Sequence, residues 1–151
     1  LLQFSHTRSQ ETDPDNLNKV DFADFLEQFD NEDTDIIVKN DFKIMIDESL
    51  LRIAMRNLIG NAHKYSEGKK VRITVNKGII SIKDQGIGIS ENDIKHIFEP
   101  FYRAGNANGI KGHGIGLALA EQILKKYGAL IKVASQENKG TTFTIDFRKI
   151  L

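Results

Sequence analysis

The chain has 151 residues, 40% of them hydrophobic and 28% charged, enough to bury one globular core and too few for two large domains. It contains no cysteine, which excludes a disulfide scaffold, thiolate catalysis and a Cys-ligated zinc site and points to a reducing compartment. Basic and acidic residues balance at 21 each, but residues 1–50 carry 13 acidic and 4 basic side chains, net −9, and the remainder is net +9, so an anionic ligand is expected on the later part.

The opening Leu1-Leu2-Gln3-Phe4-Ser5-His6 reads as the tail of a helix, and the polar run from Thr7 to Asn18, with Pro14, as a linker. This divides the chain into 1–16, a helix end and linker, and 17–151, one domain. The acidic stretch from Glu11 to Asp35 reads as a solvated face. Apolar residues at 22, 25, 26 and 29 follow the helical period behind an acidic N-cap. Asp35–Lys39 and Phe42–Ile46 read as strands. From Asp47 to Tyr65 the stripe Leu50, Leu51, Ala54, Met55, Leu58, Ile59 and Ala62 predicts a long amphipathic helix.

Val71–Val75 and Ile79–Lys83 are β-branched runs around Asn76-Lys77-Gly78, a hairpin with a three-residue loop. A helix is expected over Glu91–Phe98, stopping before Pro100. Tyr102 to Gly114 carries four glycines with little periodicity and reads as a long mobile loop, of a length that is usually functional or disordered. Ile115–Tyr127 is a helix closed by Gly128, and Ala129–Ser135 and Thr141–Phe147 are strands. Helices with mostly hairpin-linked strands predict an α+β, two-layer sandwich: a mixed, mostly antiparallel sheet covered on one face by three helices. No apolar run approaches the roughly 20 residues of a membrane helix, no signal-peptide pattern opens the chain, and basic stripes that would mark a nucleic-acid binder are missing. The expectation is a soluble piece with no membrane contact.

Three segments carry chemistry. Asn57, Asn61, Lys64 and Tyr65 fall in one sector of the long helix, at about 100° per residue. Amide oxygens suit Mg²⁺ shared with a phosphate, lysine supplies a point charge and tyrosine an apolar wall, although a plain exposed polar face accounts for them equally well. Asp84-Gln85-Gly86-Ile87-Gly88-Ile89 follows a strand. Glu91 stands where a dinucleotide fingerprint needs its third glycine. An aspartate at a strand end can instead accept a hydrogen bond from an exocyclic amine, or simply form a tight turn. Lys111-Gly112-His113-Gly114-Ile115-Gly116-Leu117 runs into a helix N-terminus, an anion site without the ending of a P-loop.

Together these segments resemble sensor histidine kinases. Asn57-Leu58-Ile59-Gly60-Asn61-Ala62-His63-Lys64-Tyr65 is similar to their N box, Asp84 to Ile89 to the G1 box, Ile97-Phe98-Glu99-Pro100-Phe101-Tyr102-Arg103 to the F box, and Gly112 to Leu117 to the G2 box. The four stand in order, with Gly140-Thr141-Thr142-Phe143 in the last strand, over roughly Val20 to Phe147. The resemblance implies the Bergerat ATP-binding fold and ATP with Mg²⁺ as ligands. It implies Asn61 as the Mg²⁺ ligand with Asn57 supporting it, and Lys64 and Tyr65 on phosphate and nucleoside. Asp84 would take adenine, with Gly86, Gly88 and Ile89 shaping the pocket and Thr141 nearby. Phe98 and Phe101 would anchor a lid, Arg103 would reach the phosphates, and Gly112, His113, Gly114, Ile115, Gly116 and Leu117 would cradle them. Asn57, Asn61, Lys64 and Arg103 would serve catalysis.

In the hydrolytic relatives a glutamate that activates water stands where this chain has Asn57, and loss of such a base costs roughly 10²–10⁴ in rate. The resemblance therefore implies phosphoryl transfer to histidine. The four histidines precede Thr7, Lys64, Ile97 and Gly114, and none matches the family's acceptor, which is followed by Glu or Asp. The acceptor is expected on dimerisation helices outside this chain, of which Leu1–Ser9 resembles the end. The implied partners are those helices and a response regulator. The chain is expected to be monomeric, and its parent a dimer whose catalytic part is cytoplasmic beneath a membrane anchor. The alternatives are a silent nucleotide-binding module and a serine-directed anti-sigma-factor kinase. His113 departs from the small hydroxyl residue frequent there.

Overall fold

A computed structural model describes residues 16–103, 105 and 116–151; the expectations for Leu1–Ser9, for most of the loop from Tyr102 to Gly114 and for Gly112 to Ile115 lie outside them. The elements are β1 (Asn18–Asp21), α1 (Phe22–Leu26), β2 (Thr34–Asn40), β3 (Lys43–Ile46), α2 (Glu48–Tyr65), β4 (Val71–Asn76), β5 (Ile79–Lys83), α3 (Glu91–Ile94), α4 (Gly116–Lys126), β6 (Leu130–Gln136) and β7 (Gly140–Asp146). Short 3₁₀ turns follow at Glu27–Phe29 and Arg148–Ile150.

Five strands form one sheet in the order β2-β4-β5-β7-β6, parallel only between β2 and β4. One residue in two on each central strand faces the helices. Val71, Ile73, Val75, Ile80, Ile82, Phe143 and Ile145 are all fully buried. Against them lies the stripe expected for α2, every member of it buried, beside Ala118, Leu119, Ala120, Ile123 and Leu124 of α4. Asp47 caps α2, accepting from the backbone N–H groups of Ser49 (2.9 Å) and Leu50 (3.3 Å). Gly128 closes α4 at φ +82°, and Ala129 N–H returns to the Leu124 carbonyl.

A smaller corner is built from β1 and β3, an antiparallel pair, with α1. Phe22 stacks on Phe42 at 4.6 Å and lies 5.1 Å from Phe147, so the end of β7 is packed into the start of the domain. The linker reading extended to Asn18 and missed β1. That strand holds one buried apolar residue, Val20, too few to show alternation. Two further expectations change. The β4–β5 loop is the two residues Lys77 and Gly78, because Asn76 still pairs with Ile79; φ values of +49° and +86° mark a turn whose twist matches a hairpin.

The helix expected over Glu91–Phe98 is the single turn α3. His96 N–H bonds Asp93, Glu99 N–H bonds His96 and Tyr102 N–H bonds Glu99 through their backbones. These i→i+3 turns replace an i→i+4 ladder. They carry Phe98 to the edge of Phe143, 6.2 Å away. The sheet is thus covered by two full helices and one helical turn beside β6.

Candidate functional site

Four segments meet at one end of the central strands. The chain leaving β5 at Asp84 is tied to β7 by Asp84 N–H donating to the Thr141 carbonyl (2.9 Å). The Asp84 side chain, 3% exposed, turns back to accept the Gly86 N–H at 2.9 Å. Burial pushes its carboxyl above the usual aspartate range, while the N–H groups of Gly86 and Thr141 pull the other way. The result is an inward-facing acceptor held in place by its own loop.

Gly86 cannot carry a side chain, since a Cβ there would stand 1.6 Å from the Tyr65 carbonyl oxygen. That same oxygen accepts the Ile87 N–H at 3.1 Å, so the C-terminal end of α2 is docked on this loop. Gly88, at φ +69°, passes within what would be 2.1 Å of the Gln136 carbonyl. The loop is therefore pressed between α2 and the end of β6 with backbone on both sides.

Asn57 and Asn61, one turn apart on α2, are half-buried. Asn57 donates from Nδ2 to the Ile53 carbonyl (2.9 Å), which turns its oxygen away from its own helix. That oxygen would be 2.7 Å from a Cβ at Gly116, so Asn57 abuts the first residue of α4. Tyr65 is half-buried, and Lys64 is exposed. Ile89 and Leu117 are half-buried and pack against the core. Thr141 is buried beside Asp84.

The structure thus gathers Asn57, Asn61, Tyr65, Asp84, Gly86, Gly88, Ile89, Gly116 and Thr141 around one end of the sheet. The F-box residues differ among themselves. Phe98 packs on Phe143, Phe101 is 66% exposed at φ +69°, and Arg103 is exposed. His113 lies outside the described residues.

Two polar clusters escaped the sequence reading. Ser135 Oγ joins Ile89 N–H (2.8 Å), the Gly140 carbonyl (2.9 Å) and Thr141 Oγ1 (2.7 Å). Its signal was present, because Ile131, Val133 and Ser135 alternate on one face of β6 and only the last is polar. Asp93 accepts from the hydroxyls of Tyr102 and Ser90 and from Gly105 N–H (3.2 Å). The Tyr102 hydroxyl is the main cause that holds the Asp93 carboxyl below its ordinary range. Nothing local foretells that pairing, which spans nine residues.

Residues 46–150 match the family described as histidine kinase-, DNA gyrase B- and HSP90-like ATPases, and the chain belongs to that family. It is 38% identical over 132 residues to the heme sensor protein HssS of Staphylococcus saprophyticus, a match covering 82% of this chain and 28% of that protein. Mycobacterial sensor histidine kinase MprB superposes with a TM-score of 0.71 at 26% identity, over 85% of this chain and 95% of the solved one. Full-length ShkA, solved in complex with AMPPNP, gives a TM-score of 0.71 at 25% identity, over 87% of this chain and 31% of the other. The match covers 28% of the length of HssS and 27% and 18% of that of the Bacillus subtilis sensor histidine kinases YkoH and WalK. It is a histidine-kinase-type ATP-binding catalytic domain, and the two-layer fold expected from the four boxes is the one observed. Among the described residues no helix is long and apolar enough to cross a membrane.

Proposed function

We propose that this domain binds Mg-ATP at the Asp84–Thr141 end of the sheet and donates the γ-phosphoryl group to a histidine on the dimerisation helices of its parent sensor, for onward transfer to a response regulator. The observation that carries transfer rather than hydrolysis is Asn57. Its amide is committed through Nδ2 to the Ile53 carbonyl, and an amide has no basic lone pair with which to activate water. A neutral imidazole already has its lone pair, so transfer needs positioning and charge stabilisation rather than a base in this domain.

The roles follow from chemistry and position. Asp84 accepts from the adenine amine, and Gly86 and Gly88 let the base approach the backbone. Tyr65 flanks the nucleoside, Lys64 and Arg103 meet phosphate charge, and Gly116 opens the helix whose N-terminal N–H groups face it.

The donor set fits a magnesium ion brought in with the nucleotide. Asn57 turns its amide oxygen toward the start of α4, Asn61 stands one turn further along, and among the described residues no group of three or more His, Cys, Asp or Glu could hold a metal unaided. Asn61 would hold it, with Asn57 in support. When bound, Mg²⁺ neutralises charge on the phosphate oxygens. The test is incubation of the chain with γ-labelled ATP and a protein bearing its upstream helices. Acid-labile phosphohistidine is the expected product. Nucleotide bound without label transfer would favour a silent module, and an acid-stable product a serine-directed kinase.

A further inference from the structure

We propose that Ser135 is a positioning residue that sets base selectivity, by forcing the Thr141 hydroxyl to act only as a hydrogen-bond acceptor beside Asp84. The inference rests on the nucleotide reading above and concerns the purine edge the site accepts.

The hydrogens available to the Ser135 cluster fix the direction of each of its bonds. Ser135 sits on β6 directly opposite Thr141 on β7 in the antiparallel register. Its Oγ makes three contacts, to Ile89 N, to the Gly140 carbonyl oxygen and to Thr141 Oγ1. A serine hydroxyl offers one hydrogen and two lone pairs. Ile89 N–H can only donate, so it takes one lone pair. The Gly140 carbonyl can only accept, so it takes the one hydrogen. Thr141 must then donate into the remaining lone pair, and this is the single assignment that gives each contact a hydrogen.

Thr141 has thereby spent its hydrogen. It is 6% exposed, and among the described residues its hydroxyl has no partner but Ser135. What it presents beyond Ser135 is lone pairs. Asp84 beside it is 3% exposed and presents carboxylate oxygens, one of them fixed by Gly86 N–H. The two side chains together form an all-acceptor wall. A 6-amino purine carries two hydrogens on its exocyclic nitrogen and can satisfy such a wall. A 6-oxo purine places an oxygen there instead; its N1 gains a hydrogen that can reach one acceptor, but the acceptor opposite the 6-position is left facing an oxygen, the kind of mismatch by which polar sites discriminate strongly.

The selectivity is therefore held by a residue on β6 that touches the G1 loop only at its last residue, Ile89, and reaches Asp84 through Thr141. Removing the Ser135 hydroxyl returns a hydrogen to Thr141, which can then rotate and donate to an oxygen at the purine 6-position. The loss should appear less in ATP affinity than in the ratio between nucleotides.

The experiment is calorimetric titration of Mg-ATP and Mg-ITP into the chain and its Ser135→Ala and Ser135→Thr variants, with thermal melts to show that each is folded. Ser135→Ala should narrow the preference for ATP over ITP by about tenfold or more, chiefly through tighter ITP, and Ser135→Thr, which keeps the hydroxyl, should retain it. An unchanged ratio in folded Ser135→Ala overturns the proposal, as does an equal fall in both affinities, which is the mark of packing alone. If Ser135→Ala does not fold, Thr141→Val decides, since removing the oriented hydroxyl must also narrow the ratio, and an unchanged ratio overturns the proposal. Failure of the original chain to bind either nucleotide overturns the nucleotide reading itself and is visible before any variant is made.

Discussion

The two central strands β5 and β7 end in opposite ways. At one end Asp84 and Thr141 hold polar groups at buried positions, joined through the half-buried Ser135 and flanked by glycines that leave no room for a side chain. At the other end Phe147 N–H bonds the Gly78 carbonyl (2.8 Å), its ring packs on Phe22 and Phe42, and Asp146 pairs with Arg148 at the surface. Both ends belong to the same ladder. One contributes apolar burial that holds the domain together, and the other gives up part of that burial to keep acceptors facing inward. Stability and chemistry are thus separated along a single pair of strands.

The largest effect is expected at the apolar end. Phe22→Ala should cost about 3–5 kcal/mol in denaturant unfolding, the usual loss for a buried aromatic, while nucleotide affinity of the remaining folded protein holds. A fall in affinity at unchanged stability would show that the aromatic corner reaches the site. At the polar end, Gly86→Ala must move the loop or the end of α2, because the added Cβ meets the Tyr65 oxygen. Displacement on the order of 1 Å costs about 10²-fold in the rate of a positioned reaction, so transfer of label from ATP should slow by about that factor, with a smaller effect on the melting temperature.

The two aspartates sharpen the contrast through pH. Asp84 has its pKa raised by burial, so it takes up a proton on acidification before an exposed aspartate does. As pH falls through that raised value, ATP affinity should drop, whereas Asp84 itself favours the folded state on protonation because a buried charge is removed. Asp84→Asn should abolish this part of the pH dependence and weaken binding at neutral pH by about tenfold or more, as expected for a charge-assisted hydrogen bond.

Asp146 behaves in the reverse sense. Its hydrogen bonds from the Arg148 side chain and backbone hold it down to about 2. Its stabilising contribution is complete above the ordinary value of 3.8 and is lost as pH falls from there toward about 2. The pair is solvent-exposed, so the effect is the smallest of the set, on the order of a few tenths of a kcal/mol. Acid unfolding curves of Asp146→Asn and the original chain should differ only slightly, and a large difference would mean that this end is not held mainly by its phenylalanines.

Much of this was legible from residue order. The α2 stripe, the alternation in β4 and β7 and the Gly128 stop each declare themselves within a few neighbours, because a helix or strand repeats its apolar positions at a fixed period. The four boxes likewise announced the family, since each is a short run whose residue types and spacing are set by local turns. The pairing of Ser135 with Thr141, the Tyr65 oxygen pressed on Gly86, the Asn57 oxygen beside Gly116 and the Asp93–Tyr102 bond were settled only in three dimensions. They join segments through sheet register and helix packing, and a hydrogen bond depends on where two atoms finally stand. Residue order alone sets which faces are apolar and which motifs are present. The tertiary structure alone decided which polar groups are buried together, and with that which hydrogens are left to meet a ligand.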